Sequence, residues 1–209
     1  MIIDCVSDMH GYFPKLEGGD LLLVAGDLTA RDEPHEFEVF KEWLGKQKYT
    51  KKVLIAGNHD NFLVHLQKPK EYFKEAIYLC DSGTEFEGLK IWGTPWTKNF
   101  NGQNPRCKAF GYDLGTQMLE KFELIPDDID ILITHSPPEG ILDKTWRSRV
   151  GCPHLRDKVL KMPKLKLHLF GHIHEGYGTE EGETGIKFVN ASFVNESYEP
   201  IHTPVRVIL

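Results

Sequence analysis

An α/β layered fold is what the sequence predicts, and three observations predict it. Short apolar runs with the leucine and β-branched content of buried strands recur along the chain, helical periods separate several of them, and each run is followed within two residues by a ligand-capable side chain. The runs cover residues 2–6, 21–25, 53–56, 129–133 and 167–170. Between them, Phe37, Phe40 and Leu44 recur at the spacing of one helix face, as do Leu114, Met118 and Phe122, and then Leu155, Val159 and Met162. Residues 84–87 and 90–92 flank Gly88 like a hairpin, which implies a second sheet, and residues 186–190 and 205–208 add late strands. The polar, glycine-containing and aromatic-dotted stretch 95–112 reads as a long surface loop.

Composition bounds the function. A chain of 209 residues fits a single domain, 1–209, with no internal repeat or linker, and 40% hydrophobic with 27% charged residues is an ordinary globular balance. Twenty-five basic against 31 acidic residues leave a net charge of −6, which argues against a stable nucleic-acid complex. Cys5, Cys80, Cys107 and Cys152 form no CxxC pair and read as reduced thiols. No targeting segment or bilayer-length apolar run is present, so no membrane contact is expected and the expected location is cytoplasmic.

The groups beyond the five apolar runs are, in order, Asp8, Asp27, Asn58, His135 and His172. In open α/β sheets, side chains past the carboxyl ends of neighbouring strands converge on one crevice, so residues far apart in sequence meet there. Asp8-Met9-His10 and His172-Ile173-His174 each add a second candidate two positions on, and Gly26, Gly57 and Gly171 permit tight exits before Asp27, Asn58 and His172. Each piece alone is an ordinary turn composition, and isolated histidines such as His35, His65, His154, His168 and His202 read as packed or solvated rings. Jointly, the oxygen and nitrogen donors of Asp8, His10, Asp27, Asn58, His135, His172 and His174, with no thiolate, exceed one tetrahedral ion. They suit two divalent transition metals sharing a bridging carboxylate and an anionic substrate.

Taken in order, the blocks DMH, GD, GNHD, THS and GHIH, spanning Asp8 to His174, resemble the signature of the calcineurin-like metallophosphoesterases. The resemblance implies a four-layer α/β/β/α sandwich. It implies that Asp8, His10 and His174 hold one metal, that Asn58, His135 and His172 hold the other, and that Asp27 bridges them. It also makes His59 the catalytic histidine, with Asp60 expected to orient it. A narrower likeness, in residues 93–96, 149–152 and 163–178, is to the metallophosphoesterase-domain-containing subgroup related to class III cyclic nucleotide phosphodiesterases. Protein Ser/Thr phosphatases of the superfamily carry Gly-Asn-His-Glu after an arginine, whereas Ala56 precedes Gly57 and Asp60 follows His59 in this chain, which disfavours that activity.

The expected reaction is therefore hydrolysis of a small phosphodiester or nucleotide, cyclic nucleotides included, by in-line attack of a metal-bridging hydroxide. The donors accept manganese, iron, nickel, cobalt or zinc alike, and the resemblance implies manganese. The alternatives are a phosphomonoesterase and, if chemistry is degraded, an interaction scaffold; a nuclease would want a basic groove that this charge balance does not offer. Arg31, Arg147 and Arg149 are candidate phosphate contacts or solvated arginines, and Trp96, Phe100 and Trp146 are candidate stacking platforms or loop anchors. Sequence fixes neither the substrate-binding residues nor the oligomeric state.

Overall fold

The computed structural model describes residues 1–100 and 102–209. The chain runs through β1 (Ile2–Val6), β2 (Gly19–Ala25), α1 (Pro34–Lys46), β3 (Tyr49–Ile55), α2 (Asn61–His65), α3 (Pro69–Tyr72), β4 (Ile77–Tyr78), β5 (Ser82–Phe86) and β6 (Leu89–Thr94). It continues with β7 (Thr97–Lys98), β8 (Gly111–Tyr112), α4 (Thr116–Glu123), β9 (Ile131–Thr134), α5 (Pro153–Val159), β10 (Leu167–Phe170), β11 (Gly178–Glu181), β12 (Lys187–Asn190) and β13 (Val205–Ile208).

Alternation along the strands builds the layers. Successive side chains point to opposite faces of a sheet, so Leu21, Leu23 and Ala25 of β2 enter one core while Leu22 and Val24 enter another. The first core lies between two sheets, one ordered β13-β1-β2-β3-β4 and the other β11-β12-β10-β9-β6-β5. Ile3, Leu23 and Ile55 of the first sheet meet Ile91, Ile133 and Leu169 of the second there. Phe37, Phe40 and Leu44 of α1 cover the outer face of the first sheet, and Met118, Phe122, Leu155 and Val159 of α4 and α5 cover that of the second. The result is the expected α/β/β/α sandwich. Its inner strands run parallel, and β13, β11 and β5 are antiparallel edges. Among the described residues, no helix is long and apolar enough to cross a membrane.

Departures from the sequence reading fall where hydrophobicity carries no signal. β3 begins at Tyr49 rather than at residue 53, because its polar first half is held by pairing to β2 from Gly19 onward. β11, Gly-Thr-Glu-Glu, is an exposed edge strand fixed by its ladder to β12. The expected loop 95–112 contains the β7–β8 pair and a 3₁₀ turn at Pro105–Cys107, while its Asn101 lies outside the described residues. Leu114 does not belong to α4 but precedes it, exposed. The hairpin holds as expected, with Glu87 and Gly88 both left-handed at its turn.

His168 on β10 is a packed core ring, as expected of a histidine outside the motif. Thr134 Oγ1 gives its one proton to the Ser136 carbonyl, so His168 Nε2–H donates to Thr134 Oγ1 at 2.9 Å. Burial lowers the His168 pKa to about 3. Because the folded value lies below the unfolded value of about 6.5, unfolding takes up a proton between the two, and stability falls as pH drops through that window. Acidification from about pH 7 to about pH 4 is expected to remove about 3 kcal/mol through this ring. Urea midpoints of metal-stripped protein should therefore fall more steeply with acid in the wild type than in His168→Gln, which keeps the donor to Thr134; equal slopes would contradict the assignment.

Candidate metal centre

Five parallel strands deliver the site from their carboxyl ends: β1 leads to Asp8 and His10, β2 to Asp27, β3 to Asn58 and His59, β9 to His135, and β10 to His172 and His174. Asp8, His10, Asp27 and His172 adopt left-handed backbone at φ 48°, 43°, 53° and 67°. Non-glycine residues there cost on the order of 1 kcal/mol or more, and such strain concentrates at functional sites. The close exits are also why glycines precede Asn58 and His172. A Cβ on Gly57 would lie 2.6 Å from the Asp27 backbone nitrogen, and one on Gly171 would lie 2.6 Å from Ser7 Cβ and overlap the Asp8 carboxylate.

The side chains converge. Asp27 Oδ2 lies 3.4 Å from His135 Nε2, 3.6 Å from His10 Nε2 and 3.9 Å from His59 Nε2, while Asp8 Oδ1 lies 3.4 Å from His174 Nε2. Three overlapping groups, Asp8/His10/His174, His10/Asp27/His59 and Asp8/Asp27/His135, each have donor atoms within 4.8 Å of one another. Asn58 Oδ1 approaches His135 Nε2 at 3.0 Å, and the His172 ring centroid is 5.1 Å from that of His135. His135 Nδ1–H donates to the Ala25 carbonyl and His174 Nδ1–H to the Asn195 carbonyl, which turns both Nε2 atoms to the site.

Opposed charges in this pocket are balanced against burial and against one another. Two carboxylates within 4.8 Å of each other repel by about 3.5 kcal/mol at an effective dielectric of 20. Burial opposes ionisation of Asp8 and Asp27, yet the facing histidines outweigh it and hold both carboxyls below the usual range. Burial likewise disfavours a charged His135, but Asp27 and Asp8 prevail and lift its pKa to about 9. His10 and His172 are dominated by burial and fall to about 4 and about 3. Even so, Asp8 Oδ1 and His10 Nε2 are buried with no hydrogen-bond partner among the described residues.

Asp60, expected to orient His59, gives its carboxylate to backbone amides. Its Oδ2 accepts from the Gly57 and Asp27 amides at 2.7 and 3.0 Å and its Oδ1 from the Leu28 amide at 3.1 Å, stapling the loop after β3 to the loop after β2. Burial, and then the neighbouring Asp27 charge, raise its pKa to about 8. The neighbour of His59 is instead Cys107, with Sγ 3.6 Å from Nδ1, a partner that nothing in the sequence flags. Asp60→Ala would strand three buried amides at roughly 1 kcal/mol or more each. A loss of about 3 kcal/mol in urea unfolding is expected, and a change within about 0.5 kcal/mol would refute the staple.

The site opens into two adjoining cavities of about 460 and 900 Å³, which share His59, Asn104, Cys107 and Tyr198. Phe100 and Arg31, both candidate substrate groups, line them. Four other candidates do structural work elsewhere or stay in solvent. Arg149 pairs with Asp143, Trp96 donates to Asp81, and Arg147 sits over the exposed ring of Trp146. Tyr198 escaped the sequence reading; at φ 61° it sets its ring edge-on to His10, His59 and His174, with centroids 4.8, 6.2 and 5.5 Å away.

A family model described as calcineurin-like phosphoesterase matches residues 1–176. The chain belongs to this family. Calcineurin-like phosphoesterases are phosphoric ester hydrolases that use divalent metal ions, and the converging clusters are candidate ligands for such ions. Among curated relatives, human metallophosphoesterase domain-containing protein 1 is 38% identical, over 98% of this chain and 70% of its own. A UPF0046 protein of Caenorhabditis elegans is 39% identical, over 96% of this chain and 58% of its own. Two solved structures share the calcineurin-like fold alone. A Thermus thermophilus protein, TT1561, has a TM-score of 0.60 at 16% identity, covering 92% of this chain and 90% of its own. A putative 5′-nucleotidase of Staphylococcus aureus has a TM-score of 0.54 at 12% identity, covering 99% and 53%.

Proposed function

We propose that residues 1–209 act as one unit, a two-metal phosphodiesterase that hydrolyses small phosphodiesters, with cyclic nucleotides among the candidate substrates. The observation that carries this reading is Asp27 Oδ2, which faces the Nε2 atoms of three histidines within 3.9 Å while Asp8 stands beside it. A single oxygen so placed suits a bridge between two cations, and the partnerless Asp8 Oδ1 and His10 Nε2 fit the same demand. In this reading Asp8, His10 and His174 would hold one ion, Asn58, His135 and His172 would hold the other, and Asp27 would serve both. The all-oxygen-and-nitrogen donor set favours manganese over a thiophilic ion. Four cysteines without disulfide partners support a reducing compartment, the cytoplasm.

Ions held there supply Lewis-acid polarisation of phosphoryl oxygens and acidify water from a pKa of about 15.7 toward about 7. Everything else falls to the chain. His135 and His174 spend their Nδ1–H groups on carbonyls and keep Nε2 lone pairs for the ions. His59, whose side chain keeps 21% exposure, points at both the Asp27 carboxylate and the cavities, so it can donate to a phosphoryl oxygen or to the departing group. Phe100, Val150 and Ile173 give the smaller cavity an apolar wall, which suits a singly charged diester better than a dianionic monoester.

The test compares bis(p-nitrophenyl) phosphate with p-nitrophenyl phosphate on Mn²⁺-loaded protein. The diester should show the higher kcat/KM, and a monoester preference would overturn the phosphodiesterase reading. His59→Ala should keep its metal while kcat falls roughly 10²-fold or more; undiminished turnover on an ester with a poor leaving group would remove His59 from the chemistry.

A further inference from the structure

Of the six arginines, Arg149, Arg156 and Arg206 reach a carboxylate within 4.0 Å. Arg31 and Arg106 reach none among the described residues, and both line the 900 Å³ cavity that adjoins the candidate metal centre. Their backbones are nonetheless fixed. Arg31 N donates to Glu36 Oε2 at 3.0 Å, Arg106 N donates to Asn104 Oδ1 at 3.0 Å, and the Arg106 carbonyl accepts from Asn61 Nδ2 at 2.6 Å. Asp32 and Glu33 also border this cavity, but neither lies within ion-pair distance of the two guanidiniums, and Asp32 Oδ1 is taken by the Phe62 amide. The two exposed guanidiniums, free of carboxylate partners among the described residues and lining one cavity, offer planar donors that match phosphate oxygens.

Position gives the pair its meaning. The cavity shares His59 and Tyr198 with the smaller one, which holds Asp27, Asn58 and His174. A ligand spanning both sets one phosphorus at the candidate metals and a second anion at the arginines. We propose that Arg31 and Arg106 form a subsite for a second phosphate group, so that preferred substrates are phosphodiesters bearing a further phosphate on one arm. The claim rests on the phosphodiesterase reading above for its reacting phosphorus, and on the arginine pair for its specificity.

The test uses calorimetry on the Mn²⁺-loaded full chain, with adenosine 5′-monophosphate and adenosine 3′,5′-bisphosphate as probes and Arg31→Gln/Arg106→Gln as the variant. Wild type should bind the bisphosphate roughly tenfold more tightly, and the variant should lose that preference while holding as much Mn²⁺ as wild type. Arg106→Gln alone, should the double variant misfold, is expected to lose part of it. No preference in wild type, or a preference that survives in the variant, overturns the subsite. So does a selective loss of p-nitrophenyl phosphate turnover in the variant, because the arginines would then grip the reacting phosphoryl group. If wild type shows the preference but cleaves no diester, the subsite stands and the phosphodiesterase reading falls.

Discussion

An Asp27→Ala protein is expected to lose both metal sites and roughly 10³-fold or more in turnover, the several kcal/mol of transition-state stabilisation that metal catalysis supplies. The size of the effect follows from geometry. Asp27 Oδ2 is the atom that His10, His59 and His135 all face, and Asp27 Oδ1 accepts the His59 amide at 2.8 Å, so the substitution removes the proposed bridge and frees the GNHD turn together. Metal analysis after dialysis should find far fewer than two ions per chain, alongside the lost rate. Two tightly held ions at full rate would show that Asp27 is no bridge. Asp27→Asn keeps an oxygen that can accept from the His59 amide but loses the negative charge, so it should fall between wild type and Asp27→Ala.

Gly171→Ala is expected to damage both the fold and the metal centre. The new Cβ would overlap Asp8 Oδ2 and crowd Ser7, on the strand exit where Asp8 accepts from the His172 amide and from Ser192 Oγ at 2.9 Å each. Relief requires displacing Ser7 and the Asp8 carboxylate at the end of β1, beside a core whose members Ile3, Cys5 and Leu169 are fully buried. Overpacking of this kind costs about 1–3 kcal/mol, and more where backbone must shift. The expected result is a fall of at least about 3 kcal/mol in unfolding free energy and weakened metal binding at Asp8. Gly88→Ala is the comparison, since open space surrounds that turn and only its positive φ of 78° resists a side chain, at about 1 kcal/mol. Similar losses for the two variants would contradict the packing account.

How much of this was legible in the sequence depends on what a residue does with its side chain. β1 and β10 coincide with apolar runs because both faces of each strand are buried, and the five ligand blocks are legible because parallel strands bring their carboxyl ends to one edge. β11 and the first half of β3 were not, because backbone pairing holds them and pairing leaves no mark on hydrophobicity. The backbone role of Asp60 was not legible, for a local reason. Adjacent to His59 in sequence, the residue points the other way across the turn and gives its carboxylate to amides of Gly57, Asp27 and Leu28. Tyr198 and Cys107 reach the site from loops whose route only the folded chain defines. Arg31 and Phe100 could be singled out as candidates, but only the cavities separate them from Arg147, Arg149, Trp96 and Trp146.

The most direct test of the central claim is hydrolysis of bis(p-nitrophenyl) phosphate by metal-stripped protein before and after addition of Mn²⁺, with Asn58→Ala carried alongside to exclude a contaminant. The account predicts no turnover without metal, recovery that saturates near two Mn²⁺ per chain, and loss of that recovery in Asn58→Ala. Two bound ions with no diester hydrolysis, or full activity in the variant, would contradict it.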